Sequence, residues 1–163
     1  MIILGIDPGY GTIGYGVIEK NGSKIVPIDY GVIQTPKDEG IAARLAMIYD
    51  TLNVLIKKFN PDEIAVEELF FNTNITTGIK VAQARGVILL SAVHACGRLY
   101  EYTPLMVKQS LTGNGRADKK QIQYMVKMML GLKSEPKPDD AADALAIAIC
   151  HANTCGFTQR VLN

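Results

Sequence analysis

The stretch GIDPGYGTIGYG, residues 5–16, reads in two ways, and the choice between them decides the fold. Gly9, Gly11 and Gly14 have the G-x-G-x-x-G spacing of a dinucleotide-binding turn, in which a helix starts inside the motif so that its N–H groups face a pyrophosphate. The residues that follow here, YGVIEKNGSKIVPIDYGVIQ (15–34), are instead β-rich on both sides of Asn21-Gly22, the dipeptide most typical of a tight hairpin. The glycines therefore lead into a strand and hairpin, and the dinucleotide reading falls. Asp29 stands near the place of an acidic ribose ligand, but it lies in the hairpin's return strand. What remains is a tight glycine turn that leaves open space above Asp7, where the backbone of a ligand can approach.

Working outward, IILGI (2–6) is a short apolar run, so the chain opens with three strands, at least two of them antiparallel. From Glu39 to Phe59 the apolar residues Ile41, Leu45, Ile48, Leu52, Leu55, Ile56 and Phe59 follow the helical period, and Asn60-Pro61 ends the run. EIAVEEL (63–69) reads as a buried strand before a polar loop. Residues 78–95, GIKVAQARGVILLSAVHA, are small or apolar almost all round, which predicts a helix covered on two sides, by the core and by a partner. A last strand near RLYEYTP (98–104) leads into helices rich in Lys and Met, and the chain closes with DDAADALAIAICHA (139–152). The order predicts an α/β protein with a mixed five-stranded sheet flanked by helices.

The chain has 163 residues, 48% hydrophobic and 20% charged, which is ordinary for a globular protein and predicts a single domain over residues 1–163. No apolar stretch reaches the roughly 18 residues of a membrane helix, and the N-terminal run lacks the flanks of a signal peptide. A cytoplasmic protein without a membrane partner is expected. Cys96, Cys150 and Cys155 are odd in number and form no C-x-x-C pair, which predicts reduced, packed thiols. Net charge is only +1, yet residues 80–133 hold nine Lys or Arg against two acids, giving +7, while the rest of the chain sums to −6. A basic half of this kind suits a polyanion, because phosphate contacts release counterions.

The acids cluster by element. Asp7 ends an apolar strand, where an uncompensated carboxylate is costly to bury. Glu67 and Glu68 end the run IAV, and Asp139, Asp140 and Asp143 crowd the start of the last helix. One Asp there is an ordinary cap, but three exceed what capping needs. Asp140 and Asp143 share a helix face, and so do Asp139 and Asp143 at i, i+4. If these groups converge, a hard divalent cation with oxygen ligands would relieve their repulsion, Mg2+ first and Mn2+ as substitute. Two such ions activate a water and stabilise a leaving oxygen at a phosphodiester without a His or Lys base.

At these residues the chain resembles a known family. GIDPGYGTIGYGVI, AVEELFF, QARGV, VKQSLTGNGRADKKQIQYMV and DDAADALAIAICH are similar, in order and over essentially the whole chain, to the bacterial RuvC Holliday junction resolvases of the ribonuclease H-like superfamily. The resemblance implies a ribonuclease H-like fold and a homodimeric, Mg2+-dependent endonuclease with two ions per site. Such an enzyme makes paired symmetric nicks in four-way DNA junctions, in recombination and repair, with RuvA and RuvB as branch-migration partners. It places the family's four metal-binding catalytic acids on Asp7, Glu67, Asp140 and Asp143, which leaves Asp139 as the cap. It assigns phosphate contact or transition-state charge to Lys108 and Lys119, with Lys120 a near substitute, and Arg116 joins this DNA-binding set. An aromatic of the pair Phe70-Phe71 is expected to stack on bases near the cleaved strand, and Phe70 is the choice.

His151 lies eight residues beyond Asp143, about 12 Å along a helix, too far to share its ion. His94 is expected in burial or interface packing. A two-fold dimer would match the junction's own symmetry, with the helix of residues 78–95 at or near its interface. Two other classes remain. An ATPase of the actin and hexokinase superfamily also follows an Asp with glycine turns, although this chain is too short for a second lobe. A metal-free junction scaffold on the same fold would bind branched DNA and leave it intact.

Overall fold

A computed structural model describes residues 1–68 and 75–154. The chain opens with β1 (Ile2–Asp7), β2 (Thr12–Asn21) and β3 (Lys24–Gln34), followed by α1 (Ile41–Phe59), β4 (Glu63–Glu67), α2 (Ile75–Ala95) and β5 (Leu99–Tyr102). It continues with α3 (Pro104–Thr112), α4 (Lys119–Leu130) and α5 (Asp139–Thr154). The five strands form one sheet in the order β3-β2-β1-β4-β5. β1, β2 and β3 pair antiparallel, with Gly22 at φ +62° turning the hairpin, while β4 runs parallel to β1 and to β5. This is the mixed α/β sheet that the order of elements predicts. No helix among the described residues is long and apolar enough to cross a membrane.

Side chains alternate along each strand, and the alternation decides where the acids go. Leu4, Ile6, Ile64 and Val66 pack with α1 and α2 in one core, which also holds Ile48, Leu52 and Ile88. Ile3 and Ala65 point to the opposite face, where α3, α4 and α5 supply Val107, Ile122, Leu145 and Ile149. Two residues beyond Gly5 and two beyond Ala65, Asp7 and Glu67 therefore fall on the α5 face. Because Ile6 pairs with Val66 in parallel register, the two acids end neighbouring strands at the same end of the sheet.

α5 lies closer to this sheet than ordinary side chains permit. Its buried residues are mostly alanine: Ala141, Ala142, Ala144, Ala146, Ala148 and Ala152. The strands beneath it present Gly5, Gly14 and Gly16. A Cβ on Gly5 would collide with the Ala144 carbonyl oxygen, and one on Gly14 with the Asp140 carbonyl oxygen. One on Gly16 would come within 2.8 Å of Leu145. The expectation that the glycines leave ligand space above Asp7 is thus corrected: Gly14 makes room for α5, which occupies that space. Gly9 does serve the tight turn, since its Cβ would strike the Thr12 carbonyl oxygen.

The other helices follow their sequence signals. α1 buries Arg44, Ile48, Leu52 and Ile56 at four-residue spacing and ends on Asn60 in the left-handed region, φ 45°. Thr103 caps α3 by accepting from the Met106 N–H at 3.1 Å, and Asp118 with Gln121 forms a capping box on α4. α2 buries Ala84, Ile88 and Ala92 but leaves Ile79, Leu90 and Val93 exposed. Gly5→Ala, a methyl added under α5 in the middle of the sheet, is expected to lower unfolding stability by about 1–3 kcal/mol, read as a lower urea midpoint. An unchanged midpoint would contradict the close approach.

Candidate active site

Asp7 and Glu67 lie beside the start of α5, which carries Asp140 in its first turn and Asp143 just beyond it. Asp7, Glu67 and Asp143 each respond to acidic neighbours in this cluster. Burial, then Glu67, Asp143 and Asp140, push the Asp7 carboxyl up to about 8, against the opposing pull of Lys119. Burial and Asp143 push Glu67 up to about 7, opposed by Lys108. Asp143 is also raised, chiefly by burial, although the Lys119 ammonium 3.3 Å away works the other way. A cleft of about 260 Å3 opens beside them, lined by Glu67, Asp143, Lys108 and Lys119, with Val107 and Ile122 as its apolar wall.

The two lysines come from α3 and α4, whose packing against α5 aims them at the acids. Lys119 and Lys120 are adjacent in sequence but face different spaces. Lys119 lines the acidic cleft, whereas Lys120 lines a separate one of about 530 Å3 with Tyr124 and Asn114. Arg116 is exposed on the loop between α3 and α4, where its N–H donates to Asn114 Oδ1 at 3.0 Å. Phe70, with Phe71, and Cys155 lie outside the described residues.

Asp139 does not cap α5. It is the first residue of the helix, and the Pro138 carbonyl accepts from the Ala141 and Ala142 N–H groups. The Asp139 carboxylate instead takes Lys137 at 3.2 Å, Lys119 at 3.4 Å and the Gln123 amide at 3.0 Å. These bonds, Lys137 first, hold its carboxyl below the usual range. Lys119 therefore bridges Asp139 and Asp143. Burial opposes its charge, but the two carboxylates outweigh burial and keep its ammonium above the usual range.

Both histidines are remote from this chemistry. His151 is buried, its Nδ1 2.7 Å from the Tyr102 hydroxyl and its Nε2 2.6 Å from Glu63 Oε2, near the start of β4. Burial lowers its pKa although Glu63 works in the other direction. His94 is exposed, not buried, because it projects from the outer side of α2. Of the described cysteines, Cys150 is buried and Cys96 half-buried, both free.

Two connections were not read from sequence. Arg85, inside the QARGV motif, forms an ion pair with Glu101 that ties α2 to β5. Arg44 is buried and donates to Thr35 and to the Tyr10 carbonyl in the turn after Asp7. The signal for Arg44 was its spacing, four residues before Ile48 on the apolar stripe of α1.

The donor set suits a hard divalent cation: carboxylate oxygens only, crowded enough to raise three of their own pKa values. Among the described residues, no three His, Cys, Asp or Glu side chains already close on a single point. Their repulsion is what a cation would remove.

A family model described as crossover junction endodeoxyribonuclease RuvC matches residues 3–151. The protein of that name from Desulfitobacterium hafniense is 55% identical over 161 residues, 99% of this chain and 98% of its own. The one from Clostridioides difficile is 55% identical over 163 residues, 100% of this chain and 96% of its own. The structure of Thermus thermophilus RuvC in complex with a Holliday junction substrate superposes with a TM-score of 0.90 at 35% identity, covering 99% of this chain and 100% of that one. The yeast mitochondrial resolvase Ydc2, at 18% identity and a TM-score of 0.69, shares the fold.

The raised carboxyls predict how stability depends on pH. Asp7 and Glu67 have folded pKa values above those of an unfolded chain, so the fold binds more protons. Their contribution is complete below the ordinary carboxylate range and is lost as pH rises through about 7 and then about 8. In chelator, the melting temperature is expected to fall between pH 5 and pH 9, and a divalent cation should flatten that decline. Asp7→Asn should melt above the wild type in chelator at pH 8. A lower melting point for that variant would mean that the buried, crowded charge of Asp7 carries no net cost.

Proposed function

The chain belongs to the RuvC family of crossover junction endodeoxyribonucleases, and from that membership we propose how its residues act. The protein is an endonuclease that binds and resolves Holliday junctions in DNA recombination, and like its family it depends on divalent metal. The observation that carries the mechanism is the meeting of Asp7, Glu67, Asp140 and Asp143 at one end of the sheet, beside Lys108 and Lys119.

In this reading the four acids hold two Mg2+ ions, with Mn2+ as substitute. When bound, the ions supply the activation of the attacking water and the stabilisation of the leaving oxygen in phosphodiester hydrolysis. The residues of the chain do the remainder. Asp7 and Glu67 are carried by neighbouring parallel strands, and Asp140 and Asp143 by the start of α5, so a cation would draw carboxylates together from a fixed backbone. Lys108 and Lys119 line the cleft wall and hold the phosphate. Arg116 and Lys120 extend the basic surface along the DNA, and Phe70 is the stacking aromatic near the cleaved strand. Residues 1–163 act as one cytoplasmic nuclease domain without a membrane partner, and RuvA and RuvB are its branch-migration partners.

Paired nicks in opposed strands require two sites related by a two-fold axis. The exposed Ile79, Leu90 and Val93 of α2 supply an apolar surface for a second copy, as 56%, 51% and 47% exposure of large side chains on one helix is otherwise costly. Leu90→Asp should sediment as a monomer and lose paired cleavage. A stable dimer from that variant would move the interface elsewhere.

The test of the reaction is cleavage of a labelled synthetic four-way junction beside a linear duplex in Mg2+. The wild type should nick the junction symmetrically and leave the duplex intact. Asp7→Asn and Glu67→Gln should each slow cleavage at least about a hundredfold while junction binding survives. Junction binding without cleavage by the wild type, in Mg2+ and in Mn2+, would return the scaffold reading.

A further inference from the structure

Arg44 poses a problem that packing alone does not solve. Its side chain is buried, 6% exposed, in an otherwise apolar stripe, and among the described residues it makes no ion pair. Burying a charge without a counterion is costly, so its neutral partners must matter. Nε donates to Thr35 Oγ1 at 2.8 Å, and Nη2 to the Tyr10 carbonyl at 3.2 Å. Thr35 Oγ1 donates to the same carbonyl at 2.7 Å, and its N–H donates to the Gly11 carbonyl at 3.0 Å. The guanidinium carbon also lies 4.2 Å from the centroid of the Tyr10 ring. One buried cation thus holds both the backbone and the ring of a single residue in the turn after Asp7.

Tyr10 remains half-exposed, and a second cation stands over its ring, Lys80 Nζ of α2 at 5.3 Å from the centroid, a place that a base would take as the ammonium moves to a phosphate. The ring also packs in part against the core between the sheet, α1 and α2, which leaves only part of it open to a ligand. The location adds meaning. Tyr10 follows Asp7 by three residues at the catalytic end of the sheet. Lys108 and Lys119 flank the acids from the side of α3 and α4, while Lys80 stands on the side of α1 and α2. A strand crossing the end of the sheet would leave one pair of cations, pass the acids, and meet Tyr10 and Lys80.

We propose that Tyr10 and Lys80 form a nucleotide-contact site beside the catalytic acids, with the Tyr10 ring stacking on a base or deoxyribose of the crossing DNA strand and Lys80 pairing with an adjacent phosphate. Arg44 is the positioning residue. A ring already fixed loses little rotamer freedom on binding, and aromatic stacking accepts any base. The site rests on the junction-cleaving reading and extends it to a substrate contact made by the turn itself.

The test is fluorescence anisotropy of the full-length protein with a synthetic four-way junction and with a linear duplex, in EDTA so that no cleavage intervenes. Tyr10→Leu should weaken junction binding roughly tenfold, while Tyr10→Phe should stay within about twofold, because the ring and not the hydroxyl makes the contact. Lys80→Gln should reduce the slope of log affinity against log salt by about one. Binding by Tyr10→Leu equal to wild type, or an equal loss in Tyr10→Phe, would overturn the stacking role. If Tyr10→Leu does not fold, an unchanged salt slope in Lys80→Gln overturns the site. A wild type that binds the junction no tighter than the duplex counts against the junction reading instead, and the Leu and Phe variants are then compared on the duplex.

Discussion

The close contact between α5 and the β1–β2 pair is the constraint on which the site depends. Gly5, Gly14 and Gly16 on the strands and the alanines of α5 remove nearly every side chain from between helix and sheet. The helix backbone can then lie against the strand backbone, and its first turn arrives beside the end of β1. A helix standing at the usual side-chain distance would hold Asp140 and Asp143 several ångströms farther from Asp7 and Glu67. The glycines that resemble a phosphate loop therefore act one step removed from chemistry: they set the distance between two pairs of carboxylates.

That distance has an electrostatic cost. Desolvation and mutual repulsion raise three of the four acids, so an isolated site at neutral pH is partly protonated. Lys119 offsets part of this through its contact with Asp143, and Asp139 with Gln123 holds Lys119 in place. A divalent cation, which takes several carboxylate oxygens at once, would offset the remainder more completely. The same crowding that makes these carboxylates costly to ionise would favour a cation among them. Elsewhere the fold is built to tolerate this, with apolar cores on both faces of the sheet and a hydrogen-bonded His151 joining α5 to β4 and β5 far from the acids.

Much of the architecture was legible because local rules and tertiary packing agree. The hairpin at Asn21-Gly22, the helical stripe of α1 and the end of that helix at Asn60 all stand as their residue patterns predict. Elements were less legible where a residue's role depends on a partner distant in sequence. Asp139 is left as the cap once the family resemblance gives the metal-binding roles to Asp140 and Asp143; its partners sit on α4 and in the preceding loop. Burial or interface packing is expected of His94 because its sequence neighbours are apolar; the burial alternative fails, since at one residue per 100° of helix it turns outward. Arg44 carried a signal in its spacing, but the Tyr10 turn it holds lies 34 residues away.

By itself, the sequence determined which elements form and the kinds of chemistry available: strand alternation, helix period, caps, turns, and acids at the ends of apolar runs are local properties. It also carried the family resemblance, through motifs spread over the whole chain. Only the tertiary structure decided which carboxylates face one another, that Lys119 and not Lys120 enters their cleft, and that Gly14 makes room for α5 and not for a ligand. The reason is physical. Adjacent residues on a helix point about 100° apart, and which direction meets the site depends on how the helix docks against the sheet, a contact between segments that local sequence does not encode.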